Sequence, residues 1–357
     1  MSRPGRVLLL ALSLTAVGVA SDVQAAEEPP KIGKPRPAPP TPPNIAPLPP
    51  AVFDPSLAIG GQDLKARKVE TRLSVDVLVN GQGPYKFIVD SGADTSVVGL
   101  GIARKLELPL GTPAILNGMT ERNIVDRVRV EQLSLGTSTF NNLQLPALRE
   151  SDLGGDGMIG IDALVQQRLM LDFEGRLIKV EDARIPEKHY PNEIVVTAYR
   201  KRGQLILTHV KAAGFPLDAV IDTGSEITIG NLALRDKLVR KHRANITKIA
   251  VTGVTGATVD LELARISELQ LGPIIFHDVP MAFADVPPFK AFGLSDQPAL
   301  LLGTDLLESF RRVSLDFRSR KVRFQLRRCK EQAISISTWS NAFTRLSSTG
   351  TPDVCAR

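Results

Sequence analysis

The sequence predicts a mainly β protein built from two related lobes, each a closed β structure with short helices, facing one another across a cleft. Three observations predict it. A short phrase occurs twice, as Val89-Asp90-Ser91-Gly92-Ala93-Asp94 and as Ile221-Asp222-Thr223-Gly224-Ser225-Glu226. Further echoes keep the same order: Leu133-Ser134-Leu135-Gly136 with Leu269-Gln270-Leu271-Gly272, residues 158–164 with 301–307, and Leu171-Asp172-Phe173 with Leu315-Asp316-Phe317. Four matches in one order describe a unit that was duplicated and fused, with a longer insertion in the second copy at residues 285–298. The third observation is that the periodicity inside each copy belongs to strands, while helical signals are short.

Residues 73–79 alternate apolar and polar, Asn80-Gly81-Gln82-Gly83-Pro84 supplies turn chemistry, and Tyr85 opens a second strand that runs to Val89. Helices are expected at 101–106 and at 231–241, where Asn231 is suited to cap the first turn, and in the turns after Gly160 and Gly303. A polar stretch at 183–192, holding Pro186 and Pro191, separates the copies, giving lobes at 61–185 and 190–328 and a tail at 329–357. Near the end of the second lobe, Val322, Phe324 and Leu326 alternate with basic or polar residues, the pattern of a strand with one wet face.

The ends read differently. Arg3 and Arg6 precede an apolar run at 7–20, and Val23-Gln24-Ala25 supplies small residues suited to cleavage, so residues 1–25 are expected to be a signal peptide cut near Ala25. The run is short for a bilayer, and no later segment is apolar enough to cross one. A periplasmic or secreted protein with no integral membrane span follows as the expectation. Residues 26–60 are Pro-rich and cannot build a core, which suggests a semi-rigid linker. A segment that covers the functional site is the other reading. Cys329 and Cys355 are either a disulfide that ties down the tail or two free thiols.

Composition excludes several classes. The 357 residues are 43% hydrophobic and 23% charged, as in an ordinary globular chain, and a net charge of +6 with few aromatics makes no case for nucleic acid. His189, His209, His242 and His277 show no ligand spacing, so neither a metal nor a cofactor is expected.

The repeated phrase points to chemistry. Each Asp ends an apolar run, so its carboxyl is expected at the mouth of a buried strand, and the following Gly permits a sharp turn and close approach. Two such carboxyls facing one another share a proton. The ionised one can take a proton from water while the protonated one donates to a carbonyl oxygen.

On these motifs the chain resembles the aspartic peptidases, especially the retropepsin-like branch of exported bacterial proteins. The run from Asn80 to Ala93 is similar to the way that branch enters its catalytic loop. The Gly-x-Asp-x-Leu elements at Gly160 and Gly303 resemble the second half of its motif pair. The resemblance implies a bilobal aspartic-peptidase fold and an endopeptidase acting on an extended polypeptide. It makes Asp90 and Asp222 the catalytic pair, with Ser91 and Thr223 bonding across the lobes and Gly92 and Gly224 against substrate. It also implies two flaps, at Gly118 and Gly253, neither bearing a Tyr. Asp94 and Glu226 become either substrate contacts or loop-stabilising acceptors, and Asp162 and Asp305 are expected to cap the short helices that follow.

One difference between the copies carries a hypothesis. Ser225 stands where the first copy has Ala93, and a hydroxyl there would favour the charged form of Asp222. Because both half-sites lie in one chain, dimerisation is unnecessary, and a monomer is expected. A peptide-binding module that has lost hydrolysis, and a scaffold acting through its Pro-rich arm, are the competing readings.

Overall fold

The computed structural model describes residues 31–40, 62–65, 67–69, 72–136, 138–163, 167–184, 193–201, 204–241, 246–327 and 335–338. The expected signal segment, both cysteines, His189 and His242 lie outside the described residues.

Each copy of the repeat closes into a six-stranded barrel. In the first, Arg72–Val79 pairs with Gln82–Val89, which runs parallel to Gly157–Ile159. From there the order is Val97–Gly99, Ser138–Leu148 and Arg127–Leu135, which returns to Arg72–Val79 and closes the ring. The second barrel repeats that order with Gln204–Ala212, Phe215–Ile221, Ala299–Leu302, Ile229–Gly230, Ile274–Phe283 and Thr258–Leu271. Alternation fixes which face turns inward: Val75, Val77 and Val79 are buried, while Asp76 and Leu78 are exposed. Closure also removes free strand edges from both barrels.

The helices are short. Leu100–Lys105 follows the first Asp loop, and Leu232–Lys241 follows the second. The latter is capped by Asn231, whose Oδ1 accepts from the Leu234 N–H at 2.9 Å. The insertion of the second copy holds the helix Pro287–Ala291, which buries Phe289 with the nearby Phe292.

The lobes share one sheet. Glu193–Lys201, Lys321–Leu326, Phe310–Asp316, Gln167–Asp172, Leu177–Asp182 and Gln62–Lys65 lie side by side, with strands of both copies adjacent at its centre. This corrects the expectation of a wet face on the basic strand: from Val322 to Leu326 every residue is buried, because the strand is interior to the shared sheet. Arg323 is tolerated there with Glu193 nearby, Nη1 to Oε2 3.8 Å.

Where the two copies meet, Arg168 stands opposite Asp316 and Asp172 opposite Arg312. Arg168 Nη2 lies 3.3 Å from Asp316 Oδ2, and Arg312 Nε donates to Asp172 Oδ2 at 2.6 Å. The other oxygen of each Asp closes its own hairpin turn, accepting from Gly175 N–H in one copy and from Arg318 and Ser319 N–H in the other. The repeated Leu-Asp-Phe thus marks a reciprocal ion pair across the lobes.

Within the Pro-rich stretch, Arg36–Pro37 pairs antiparallel with Arg122–Val125, so this part of it docks on the first lobe. In the tail, Ser335–Thr338 adds a strand beside Ile274 to His277. Among the described residues no helix is long and apolar enough to cross a membrane.

Breaking one buried ion pair tests the lobe junction. Asp316→Ala strands the guanidinium of Arg168, whose side chain is 5% exposed. A stability loss of about 3 kcal/mol is expected, at the low end for such a break because Glu181 still meets Arg168. The urea midpoint measures it, and the pair replacement Arg168→Met with Asp316→Leu should recover much of the loss.

Candidate active site

The two repeated loops emerge from equivalent strands and meet between the lobes. Asp90 ends Gln82–Val89 and its N–H donates to the Ile159 carbonyl at 2.9 Å; Asp222 ends Phe215–Ile221 and donates to the Leu302 carbonyl at 3.0 Å. Each Asp is therefore anchored to the parallel strand inserted beside its own. Ser91 and Thr223 then cross over. Ser91 N–H donates to Thr223 Oγ1 at 2.9 Å and Thr223 N–H to Ser91 Oγ at 3.2 Å, while each hydroxyl donates to a carbonyl of the opposite strand, Ile221 at 3.0 Å and Val89 at 2.8 Å. Four hydrogen bonds in a buried square join the lobes at the root of the loops.

Glycine is required at the next position. A Cβ on Gly92 would stand 2.6 Å from the Asp222 carboxyl carbon, and one on Gly224 would overlap the Asp90 carboxyl. Each carboxyl is thus seated on the bare backbone of the opposing loop. Asp90 and Asp222 are both 8% exposed, and each carboxyl lies against the glycine of the other's loop.

Burial first, and the neighbouring Asp222 second, push the Asp90 carboxyl up to about 8, against an ordinary value of 3.8. Asp222 is also raised by burial. Backbone donors work in the other direction: Gly92 and Ala93 N–H donate to Asp90 Oδ1 at 2.7 and 3.0 Å, and Gly224 and Ser225 N–H to Asp222 Oδ1 at 3.1 and 3.0 Å. Such a pair can hold one proton between two oxygens and present one acid and one base to a bound molecule.

Ser225 corrects the sequence reading. Its hydroxyl donates to the Ile227 carbonyl at 2.8 Å and closes its own turn. Only its backbone N–H reaches Asp222, and Ala93 offers Asp90 the same bond, so this side chain does not distinguish the two acids. Asp162 and Asp305 do more than the sequence reading gave them. Asp305 does accept from the Leu306 N–H in the first turn of the following helix, at 2.8 Å, but the main partners of both carboxylates lie in the Asp loops. Asp162 accepts from Ser96 N–H at 2.9 Å and Ser96 Oγ at 2.8 Å, and Asp305 accepts from Thr228 N–H at 2.9 Å and Thr228 Oγ1 at 2.7 Å. Each clamps the exit of its own lobe's Asp loop.

Asp94 and Glu226 are engaged between the lobes. Glu226 pairs with Arg72, Oε1 to Nη2 2.7 Å, and Arg72 Nη1 also reaches the Gly224 carbonyl at 3.5 Å. At the equivalent place Gln204 Nε2 donates to Asp94 Oδ1 at 2.9 Å and to the Gly92 carbonyl at 3.2 Å. Arg72 and Gln204 were not foreseen. The available signal was position, since each begins the first strand of its barrel 18 residues before its Asp.

Two hairpins reach across the lobes and meet at their tips. In the first, Ala114–Asn117 pairs with Arg122–Val125, and Gly118 N–H donates to the Glu121 carbonyl at 3.0 Å. In the second, Thr247–Thr252 pairs with Thr258–Leu271, and Gly253 N–H donates to the Ala257 carbonyl at 2.9 Å. Their tips touch: Thr255 Oγ1 donates to Glu121 Oε1 at 2.8 Å, and a side chain at Gly253 would overlap Thr120. Met119 packs on the apolar cluster of the second lobe and Val254 on that of the first, so each tip is seated on the opposite lobe.

The profile of the aspartyl protease family matches residues 75–163 and, a second time, 208–306. The chain belongs to that family. The two matches coincide with the two barrels, the arrangement of a two-lobed aspartic peptidase of the retropepsin-like kind. A search of curated proteins finds no match. Among the described residues no group of His, Cys, Asp and Glu could hold a metal ion.

Two outcomes follow. A carboxyl raised in the folded state holds its proton more tightly than the unfolded chain does, so its stabilisation is complete below 3.8 and is lost as pH rises through about 8. Asp90→Asn should therefore gain in Tm over the natural protein as pH rises across that interval, and a constant difference would contradict the burial account. Ser225→Ala should leave the titration of the pair in place, followed by NMR of the carboxyl carbons, and lower stability by about 1 kcal/mol through its lost turn bond.

Proposed function

We propose that the chain is an exported endopeptidase that hydrolyses extended polypeptides, with Asp90 and Asp222 as its catalytic residues. The observation that carries this reading is the pair of buried carboxyls, each set against the glycine of the opposing loop, in a chain of the aspartyl protease family. Retention of both acids, both hydroxyl residues and both glycines favours an active enzyme over a peptide-binding module that has lost hydrolysis. Export rests on the basic, apolar and small-residue pattern of residues 1–25.

In the proposed reaction Asp90 holds the shared proton and Asp222 is ionised. Water attacks the scissile carbonyl carbon as its proton passes to Asp222, and Asp90 gives its proton to the carbonyl oxygen, leaving a neutral gem-diol. The C–N bond then breaks as the amine takes the proton from Asp222, and a diol proton returns to Asp90. The flaps exclude water and hold the substrate extended.

Incubation with a denatured protein mixture across about pH 4 to 8 tests this reading. The natural protein should generate new N-termini, and Asp90→Ala and Asp222→Ala should each reduce the initial rate at least about a hundredfold. Cleavage that survives in both variants overturns the assignment.

A further inference from the structure

The two flaps are built differently. The second is the outer end of a barrel hairpin: Thr258–Leu271 runs unbroken from the flap into the barrel, pairing there with Ile274–Phe283 and Gln204–Ala212. The first flap belongs to no barrel sheet. Arg122–Val125 ends before Asp126, the barrel strand Arg127–Leu135 begins after it, and Ala114–Asn117 pairs only with Arg122–Val125. A lone two-stranded hairpin is marginal in water.

The third strand comes from the N-terminal arm. Arg36 stands opposite Ile124 and Pro37 opposite Asn123, and Ala38 N–H donates to the Arg122 carbonyl at 3.0 Å. At the hinge, Gly33 N–H donates to Asp126 Oδ2 at 2.8 Å, and Arg36 Nη2 lies 3.6 Å from Asp126 Oδ1. Ile32 packs on the main apolar core. The arm therefore begins on the body of the protein, is tied at Asp126, and runs along the flap toward its tip. It spans the hinge.

We propose that the edge of the first flap, Arg122 to Asp126, is a docking surface for an extended segment, and that the chain's own arm occupies it as a splint restraining flap opening. The pairing is antiparallel strand addition, in which backbone hydrogen bonds give affinity and side chains give register. Asp126 selects the occupant by charge, through the Arg36 guanidinium and the Gly33 amide. Pro37 and Pro39 suit a strand with one side unpaired, since neither has an N–H to leave unsatisfied. The consequence for turnover rests on the peptidase reading: substrate entry requires the tips to part, so undocking the arm speeds entry and product release.

The test uses the full chain carrying Gly33→Pro and Ala38→Pro together, which remove two of the arm's backbone donors. Arg36→Glu is a milder second variant that sets a carboxylate against Asp126. Hydrogen exchange at residues 114–125 should quicken about tenfold in the double variant, the order expected for two lost hydrogen bonds. A smaller rise is expected in Arg36→Glu, with the barrel strand Gln204–Ala212 unchanged in both as a control for folding. Peptide cleavage should become faster. Unaltered flap exchange in both variants overturns the docking, and a loosened flap with slower cleavage overturns the restraining role. Failure of the peptidase reading is distinguishable, as no cleavage by any form while the exchange difference persists.

Discussion

Two carboxyl groups buried against one another set the constraint on which the rest of the molecule depends. Like charges in a low-dielectric site repel, and desolvation raises both acids. Such a pair persists only if its surroundings are rigid and rich in donors. The loops meet that demand locally, with two backbone N–H bonds to one oxygen of each carboxyl. They meet it across the lobes through the square of bonds made by Ser91 and Thr223. Asp162 and Asp305 then pin the exits of the loops through Ser96 and Thr228.

Because each acid comes from a different lobe, the geometry of the pair is only as good as the docking of the lobes. Three layers provide that docking. The hydroxyl square lies at the centre, the Arg72–Glu226 and Gln204–Asp94 contacts flank it, and the shared sheet with its Arg168–Asp316 and Arg312–Asp172 pairs lies beneath. A buried ion pair adds little net stability compared with apolar packing, but it tolerates no slip in register. That property is useful here, since a one-residue shift in the central strands would tilt one lobe against the other.

The barrels were legible in the sequence because duplication turns weak local signals into ordered echoes, and the alternation of Val75, Val77 and Val79 shows which face is buried. The pair of acids was legible for the same reason. Side-chain partners distant in sequence were not. Arg72 and Gln204 hold equivalent positions but differ in type, so a search for identical phrases passes over them, although their contacts are equivalent. Arg168 and Arg312 each precede their Asp by four residues, yet in a strand that spacing places both on one face and says nothing of a partner across the lobe. The basic strand misled because alternation cannot separate a wet face from one whose polar groups are paired inside a sheet. Ser225 misled because a hydroxyl next to an acid has several acceptors within reach, and its own turn carbonyl, that of Ile227, won.

Fusing two half-sites into one chain also removes an obligation. Identical subunits must keep identical flaps, whereas here each flap can be tuned alone. The second flap gains stiffness by continuity with its barrel. The first, cut from its barrel at Asp126, would be the weaker lid by itself, and a third strand drawn from the Pro-rich arm compensates for that break. The arm lies outside the repeat and has no counterpart on the second flap among the described residues. It gives one lid a contact that can be made or released without disturbing the buried pair. Chain outside the barrels thus acts on the lid, while the hydroxyl square and the shared sheet keep the acids in register.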